Sequence, residues 1–231
     1  NGDTNAANNS INYGVSFNKT TYVNAGVTYG NVSYVGSQPS TTINSVDMST
    51  STANIVVNSD SMLVTSSTYA TTFNTSGTVT IQPATNAVAQ QSFDRAIDIS
   101  TTTFGSSITG LTVGQSGTGG VTSGSTQNAA DVTLGAAAIA GPVRVYAGNI
   151  SLSGSVSTSG SGLMNDLTFK ATGNIVNGSA RTFQSNGGPI VFWANAAGGT
   201  DSYVSIYAGS TVNSVNGTVS RTATGGGDII V

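Results

Sequence analysis

Three residue types are missing from this 231-residue chain: it has no cysteine, no histidine and no glutamate. Those absences exclude His-based triads, zinc sites built on imidazole or thiolate, disulfide staples and paired glutamates. Catalysis, if any, falls to Asp, Lys, Arg, Tyr, Ser or Thr. Charge is almost as scarce. Six bases and nine acids, every acid an Asp, give a net charge of −3, with no electrostatic footprint for nucleic acid or anionic lipid. Long hydrophobic runs are also lacking: Ala136 to Ala140 and Pro189 to Ala194 are far too short to span a bilayer, so no membrane insertion is expected. Proline occurs four times and tryptophan once.

What is present is Gly, Ser, Thr and Asn, which together make up more than half of the chain. With 37% hydrophobic residues, any core must be economical. The apolar residues are mostly Val, Ile, Phe and Tyr, which form strands, whereas the strong helix formers are few. Disordered chains are typically rich in Glu, Lys and Pro, and this chain is not. The composition reads as all-β.

Internal repetition carries the most information. Short β-branched runs recur at Asn54–Val57, Thr78–Ile81, Ala96–Ile99, Leu111–Val113, Asp131–Leu134, Gly148–Leu152, Asp166–Phe169, Gly188–Phe192, Tyr203–Ile206 and Gly227–Val231. Their mean step is roughly 19 residues, a length typical of solenoid coils. Ile150, Ile190 and Ile229 are 40 and 39 apart, while Val132, Leu167 and Val204 are 35 and 37 apart. The interleaving predicts alternating coils of unequal length, each series marking one strand on every second turn. Stacked coils bury thin apolar ladders and leave polar residues facing water, which suits a chain poor in hydrophobic residues. The expectation is a β-solenoid with coils of roughly 19–20 residues over 46–231. Gly173-Asn174, Asn177-Gly178, Asn186-Gly187-Gly188, Asn216-Gly217 and Gly225-Gly-Gly227 read as its corners, where left-handed backbone is favoured. The competing reading is flexible linker, but these glycines are interrupted by strand-like runs at a regular step.

Residues 1–45 differ in texture, with Tyr13, Phe17, Tyr22, Tyr29 and Tyr34 among them. They read as first coils, a cap or an extended arm. The chain starts at Asn1 without Met and ends in Gly227-Asp-Ile-Ile-Val231, the start of a strand. It is therefore expected to be a mature product or a segment of a longer or self-assembling array.

Several phrases carry a resemblance: Phe104-Gly-Ser-Ser-Ile108, Ala140-Gly-Pro-Val-Arg-Val-Tyr146, Gly148-Asn-Ile-Ser-Leu152, Leu167-Thr-Phe-Lys-Ala-Thr-Gly-Asn-Ile-Val176 and Ser185-Asn-Gly-Gly-Pro-Ile-Val-Phe-Trp-Ala-Asn195. They resemble the repeats of filamentous haemagglutinin-like bacterial surface adhesins, most clearly over residues 104–231. The resemblance implies a right-handed parallel β-helix, export across the bacterial envelope to the cell surface, and a role in adhesion, biofilm or surface architecture. It brings no catalytic residues and no cofactor. The expected partners are further copies of the chain, joined end to end through open strand edges, and surface glycans.

Parallel β-helices also host polysaccharide-degrading enzymes, which need converging acids or acids around calcium. The best local concentration is Asp94-Arg95-Ala-Ile-Asp98, where the Ile97-Asp-Ile99 alternation points Asp98 outward into solvent. Asp131, Asp166 and Asp228 each precede a strand and read as turn caps, or as a line of stacked carboxylates that a calcium ion would have to relieve. Gly225-Gly-Gly-Asp228 occurs once and lacks the spacing of calcium-binding solenoids, so no metal is expected. Trp193 lies beside Phe192 with Tyr203 and Tyr207 nearby. Adjacent strand residues face opposite ways, so Phe192 is expected inside and Trp193 outside. Trp193, Tyr203 and Tyr207 are the candidate glycan or subunit contacts. Thr78-x-Thr80 and Thr222-x-Thr224 resemble ice-binding threonine faces but do not recur once per coil. Seven Asn-x-Ser/Thr sequons are accounted for by composition. A carbohydrate-binding or polysaccharide-degrading β-helix, and a pilin-like sandwich donating its Tyr-rich N-terminal segment, are the alternatives to a structural adhesin module.

Overall fold

The computed structural model describes residues 72–82, 96–114, 131–196, 202–215 and 217–223, together with 21–22, 32–33, 45–48, 52, 54–58, 62–63 and 229–230. Among these residues there is no helix. The strands are β1 (Thr21–Tyr22), β2 (Val32–Ser33), β3 (Ser45–Met48), β4 (Ile55–Asn58), β5 (Met62–Leu63), β6 (Thr72–Thr75), β7 (Thr78–Gln82) and β8 (Ile97–Ile99). They continue with β9 (Thr103–Phe104), β10 (Gly110–Val113), β11 (Val132–Leu134), β12 (Ala137–Ile139), β13 (Val143–Ala147), β14 (Ile150–Leu152), β15 (Val156–Thr158) and β16 (Leu167–Ala171). The last are β17 (Ile175–Val176), β18 (Thr182–Asn186), β19 (Ile190–Ala194), β20 (Val204–Ser205), β21 (Thr211–Val215), β22 (Val219–Ala223) and β23 (Ile229–Ile230).

Every pairing among them is parallel, and each strand pairs with strands from other turns of the chain instead of its sequence neighbour. An eight-stranded sheet runs β2-β4-β7-β10-β13-β16-β19-β22, and a seven-stranded sheet runs β5 to β23 in steps of three. A third face is formed by two four-stranded sheets, β1-β3-β6-β9 and β12-β15-β18-β21. From β5 onward the chain visits the seven-stranded sheet, the third face and the eight-stranded sheet in turn. The protein is all-β, with parallel strands in stacked sheets after the manner of a β-solenoid. A pilin-like sandwich pairs its strands antiparallel, which none of these pairs is.

The expected coil length of 19–20 residues is corrected by the register. Asp131, Asn149, Asn174 and Tyr203 stand above one another, separated by 18, 25 and 29 residues. Ile97 pairs with both Met62 and Val132, each 35 positions away. The physical reason is that each turn carries three strands, and the hydrophobic runs mark only two of the three faces. Ile150, Ile190 and Ile229 fall on β14, β19 and β23, which belong to two different sheets, so the interleaved series do not each follow one strand. The mean step mixed full turns within one sheet, such as β11 to β14, with shorter passages from one sheet to the other, such as β7 to β8, and so fell below the length of a turn.

The third face escaped notice because its strands are mostly polar. Thr72–Thr75 and Thr182–Asn186 each contribute one large apolar side chain to the interior, Phe73 and Phe183, both fully buried. Inside, one row of the eight-stranded sheet aligns Val145, Phe169 and Phe192 in register. Phe169 and Phe192 stack with centroids 5.2 Å apart, and Phe183 meets both edge-on at 6.1 and 5.4 Å. Alternation is strict where it matters: β13 and β19 bury every second residue and leave the others half-buried.

The corner glycines follow a different rule from the one expected. Gly187 has the left-handed backbone that favours glycine (φ 102°). Gly188, Gly173 and Gly217 are not in that region. They sit where a Cβ would run into the coil beneath: Gly188 lies against the backbone of Asn165 and Asp166. Close approach of successive turns, more than turn conformation, explains these glycines. Residues 1–45 lie outside the described residues apart from β1, β2 and Ser45; β1 and β2 pair with β3 and β4.

Candidate functional site

The outward face of the eight-stranded sheet gathers three charged side chains, Arg144, Asp166 and Lys170. Parallel strands lie roughly 4.8 Å apart, so residues in register form ladders along the stack. One ladder runs Arg144, Thr168, Val191; the next runs Tyr146, Lys170, Trp193. Phe192 is fully buried and its neighbour Trp193 points outward and is half-buried, as alternation demands.

Arg144 grips Asp166 through Nη2 at 2.6 Å and through Nε to both carboxylate oxygens at 3.2 and 3.1 Å. Thr168 Oγ1 donates to the same carboxylate at 2.6 Å. Asp166 is buried at the start of β16, and this fork-like pairing satisfies it. Hydrogen bonding to Asp166 holds the Arg144 guanidinium above its usual range, against the opposing effect of burial. Among the described residues Lys170 has no such carboxylate. Its Nζ lies 4.2 Å from the centre of the Trp193 ring, a cation–π geometry, and its side chain is only 8% exposed. Burial lowers the Lys170 ammonium below the usual lysine value, and burial raises the Tyr146 phenol.

The seven-stranded sheet carries a second polar arrangement. Asp131 Oδ1 accepts from the backbone N–H and the side-chain amide of Asn149, at 3.0 and 2.8 Å. Asn149 Oδ1 accepts from Asn174 N–H at 2.8 Å, and Asn174 Oδ1 from Tyr203 N–H at 2.9 Å. This side-chain ladder borders an open groove of about 320 Å³ lined by Thr133, Ser151, Val176 and Tyr203 among others.

The sequence candidates are thus distributed over two sheets. Trp193 sits on β19 of the eight-stranded sheet. Tyr203 precedes β20 of the seven-stranded sheet and lines the groove, while Tyr207, 51% exposed, follows β20 with its N–H bonded to Asn177 Oδ1 at 2.8 Å. The structure does not join them into one aromatic platform. Asp98 points outward on β8 and accepts from Ser100 N–H at 3.0 Å. Asp131 caps its turn on the seven-stranded sheet, whereas Asp166 belongs to the eight-stranded one, so the two do not stack into a line. Asp94, Arg95, Asp201, Asp228 and Gly225–Gly227 lie outside the described residues. Among the described residues no three acids come together in a group able to hold a metal ion. Among them, too, no helix is long and apolar enough to cross a membrane, which says nothing of strand-built spans.

Sequence reasoning missed Tyr146 and Lys170 as neighbours of Trp193. Their equal offset from the preceding Val-x-Val and Leu-x-Phe pairs is the signal that would have aligned them. The asparagine ladder had a plainer one: Gly148-Asn-Ile150 and Gly173-Asn-Ile175 are the same phrase. Comparison with protein-family models, curated proteins and solved structures finds no match.

Proposed function

We propose that this chain is a non-enzymatic structural and adhesive module of a secreted bacterial cell-surface protein, a stiff right-handed β-helix that extends by adding coils end to end. The observation that carries the reading is the state of its last full turn. Val219 is 42% exposed although its register partner Ile190 is fully buried, and Val212, partnered with fully buried Phe183, is only partly covered. Inward-facing apolar positions that the described residues leave uncovered are what a further coil, of this chain or of another copy, would cover, and the outer edges that β21 and β22 present among the described residues offer the backbone groups to hold it.

Right-handed winding is supported by the general preference of parallel strand connections, about 98% of which take that hand. Surface location and adhesion are supported by the repeat phrases that resemble haemagglutinin-like adhesins. The non-enzymatic reading is supported by the employment of the described acids: Asp166 is taken up by Arg144 and Thr168, Asp131 by Asn149, and Asp98 by its own turn.

Negative-stain imaging across a concentration series tests this. Thin rods that lengthen with concentration are expected, and Val219→Lys should shorten them while leaving far-UV circular dichroism unchanged. Compact, concentration-independent particles would overturn the polymerising rod.

A further inference from the structure

We propose that the Tyr146–Lys170–Trp193 ladder is a binding site for a carboxylate-bearing sugar, with Lys170 taking the carboxylate and Trp193 the sugar ring. The inference rests on the adhesive half of the proposed function and names the chemistry of the ligand.

Three observations combine. First, the two cations on this face are treated differently. Arg144 is neutralised by a carboxylate at 2.6 Å, whereas Lys170, one strand position away on the adjacent ladder, has no hydrogen bond or ion pair among the described residues. Second, Lys170 is more than nine-tenths buried, so it has given up most of its hydration without gaining a counter-charge among the described residues. A desolvated, uncompensated cation on a protein is unfavourable, and a bound anion relieves it. Third, the flanking groups fit a sugar. Trp193 and Tyr146 are half-buried and stand on either side of Lys170 in register, so part of each aromatic surface faces solvent beside the ammonium. An aromatic face packs on the C–H surface of a pyranose, and the Tyr146 phenol supplies a polar partner in the same row.

A neutral sugar would leave Lys170 as it stands. A carboxylated one supplies the missing charge at the spot where the ring stacks, which is why the acidic class is favoured. The net charge of the chain is −3, so a general attraction for acids does not account for binding; it must be local.

Trp193 is the sole tryptophan, so its emission reports on this site alone. The experiment titrates the full chain with tetragalacturonate and, separately, with the same oligosaccharide methyl-esterified, while recording Trp193 fluorescence. A saturable change is expected with the free acid, about tenfold weaker with the ester and with Lys170→Gln, consistent with loss of one charged hydrogen bond. Affinity should also fall as salt is raised. Equal affinity for acid and ester, unchanged affinity in Lys170→Gln, or no response to either sugar would overturn the site. Rod formation and cell adhesion are measured on the same variants: rods and adhesion that persist when uronate binding is absent sink this site alone, whereas compact particles sink the module reading.

Discussion

Asn149 gives both its backbone N–H and its side-chain amide to one oxygen of Asp131, 18 residues earlier in the chain and one coil below. Its own side-chain oxygen then receives the Asn174 N–H from the coil above. One residue thus joins three turns at the corner just before β14, beside the backbone bond from Val132 N–H to the Asn149 carbonyl at 2.9 Å. Asn149→Ala should cost about 0.5–1.5 kcal/mol, because it removes the side-chain acceptor of the Asn174 N–H and the amide that binds Asp131, both at an exposed corner. Asn149→Asp keeps the acceptor but sets two carboxylates face to face, so its destabilisation should lessen on acidification. Urea denaturation at neutral and mildly acidic pH measures both, and a pH-independent penalty in Asn149→Asp would contradict the ladder.

The interior depends on few large side chains, which concentrates the energetics. Phe169 stacks on Phe192 and meets Phe183 edge-on, and all three are fully buried. Phe169→Ala should therefore cost about 3–5 kcal/mol, near the upper end for core truncations. Leu163→Ala, in a residue 75% exposed, should cost almost nothing. Denaturation midpoints that do not separate these two variants would argue against the packed aromatic layer.

Glycines at the corners differ in what surrounds them. A Cβ on Gly141 would collide with the Thr109 carbonyl of the preceding coil, whereas one on Gly178 would meet nothing. Gly141→Ala is expected to destabilise by about 1–3 kcal/mol, through forced separation of two turns. Gly178→Ala should be neutral or stabilising by about 0.4–1 kcal/mol, since it removes freedom from the unfolded chain. Thermal unfolding of the pair distinguishes close approach from simple turn preference.

Stability should respond to alkaline pH through two groups of opposite sign. Burial lowers the Lys170 ammonium below its usual 10.5, so just below that pH the unfolded chain holds a proton that the folded chain has lost, and stability rises with pH. Burial raises the Tyr146 phenol above its usual 10.0, so just above that pH the folded chain holds the extra proton and stability falls. Lys170→Met should remove the rising component and Tyr146→Phe the falling one. Denaturant midpoints between pH 8.5 and 11 on the order of half a unit apart resolve the two slopes relative to the unmutated chain.

Parts of this arrangement were legible in the residues and parts were not. Alternation in Ile190–Ala194 sufficed to turn Phe192 inward and Trp193 outward, because period two is a local property of an extended chain. The faces marked by Val, Ile and Leu were legible for the same reason. The third face was not, since Thr72–Thr75 and Thr182–Asn186 carry single apolar residues, Phe73 and Phe183, among polar ones and gain their burial from stacking. Nor was Lys170 beneath Trp193, 23 residues away, since that contact depends on the lengths of the intervening loops.

Composition alone determined that this chain would be built of strands, thinly cored and without His, Cys or Glu chemistry, because those properties follow from which side chains are available. The number of strands per turn, the variable length of each coil and the meeting of Tyr146, Lys170 and Trp193 were decided only in three dimensions. Register is a relation between distant segments: it is set where backbone ladders and interior aromatics lock together, and no local pattern encodes which residue will stand above which.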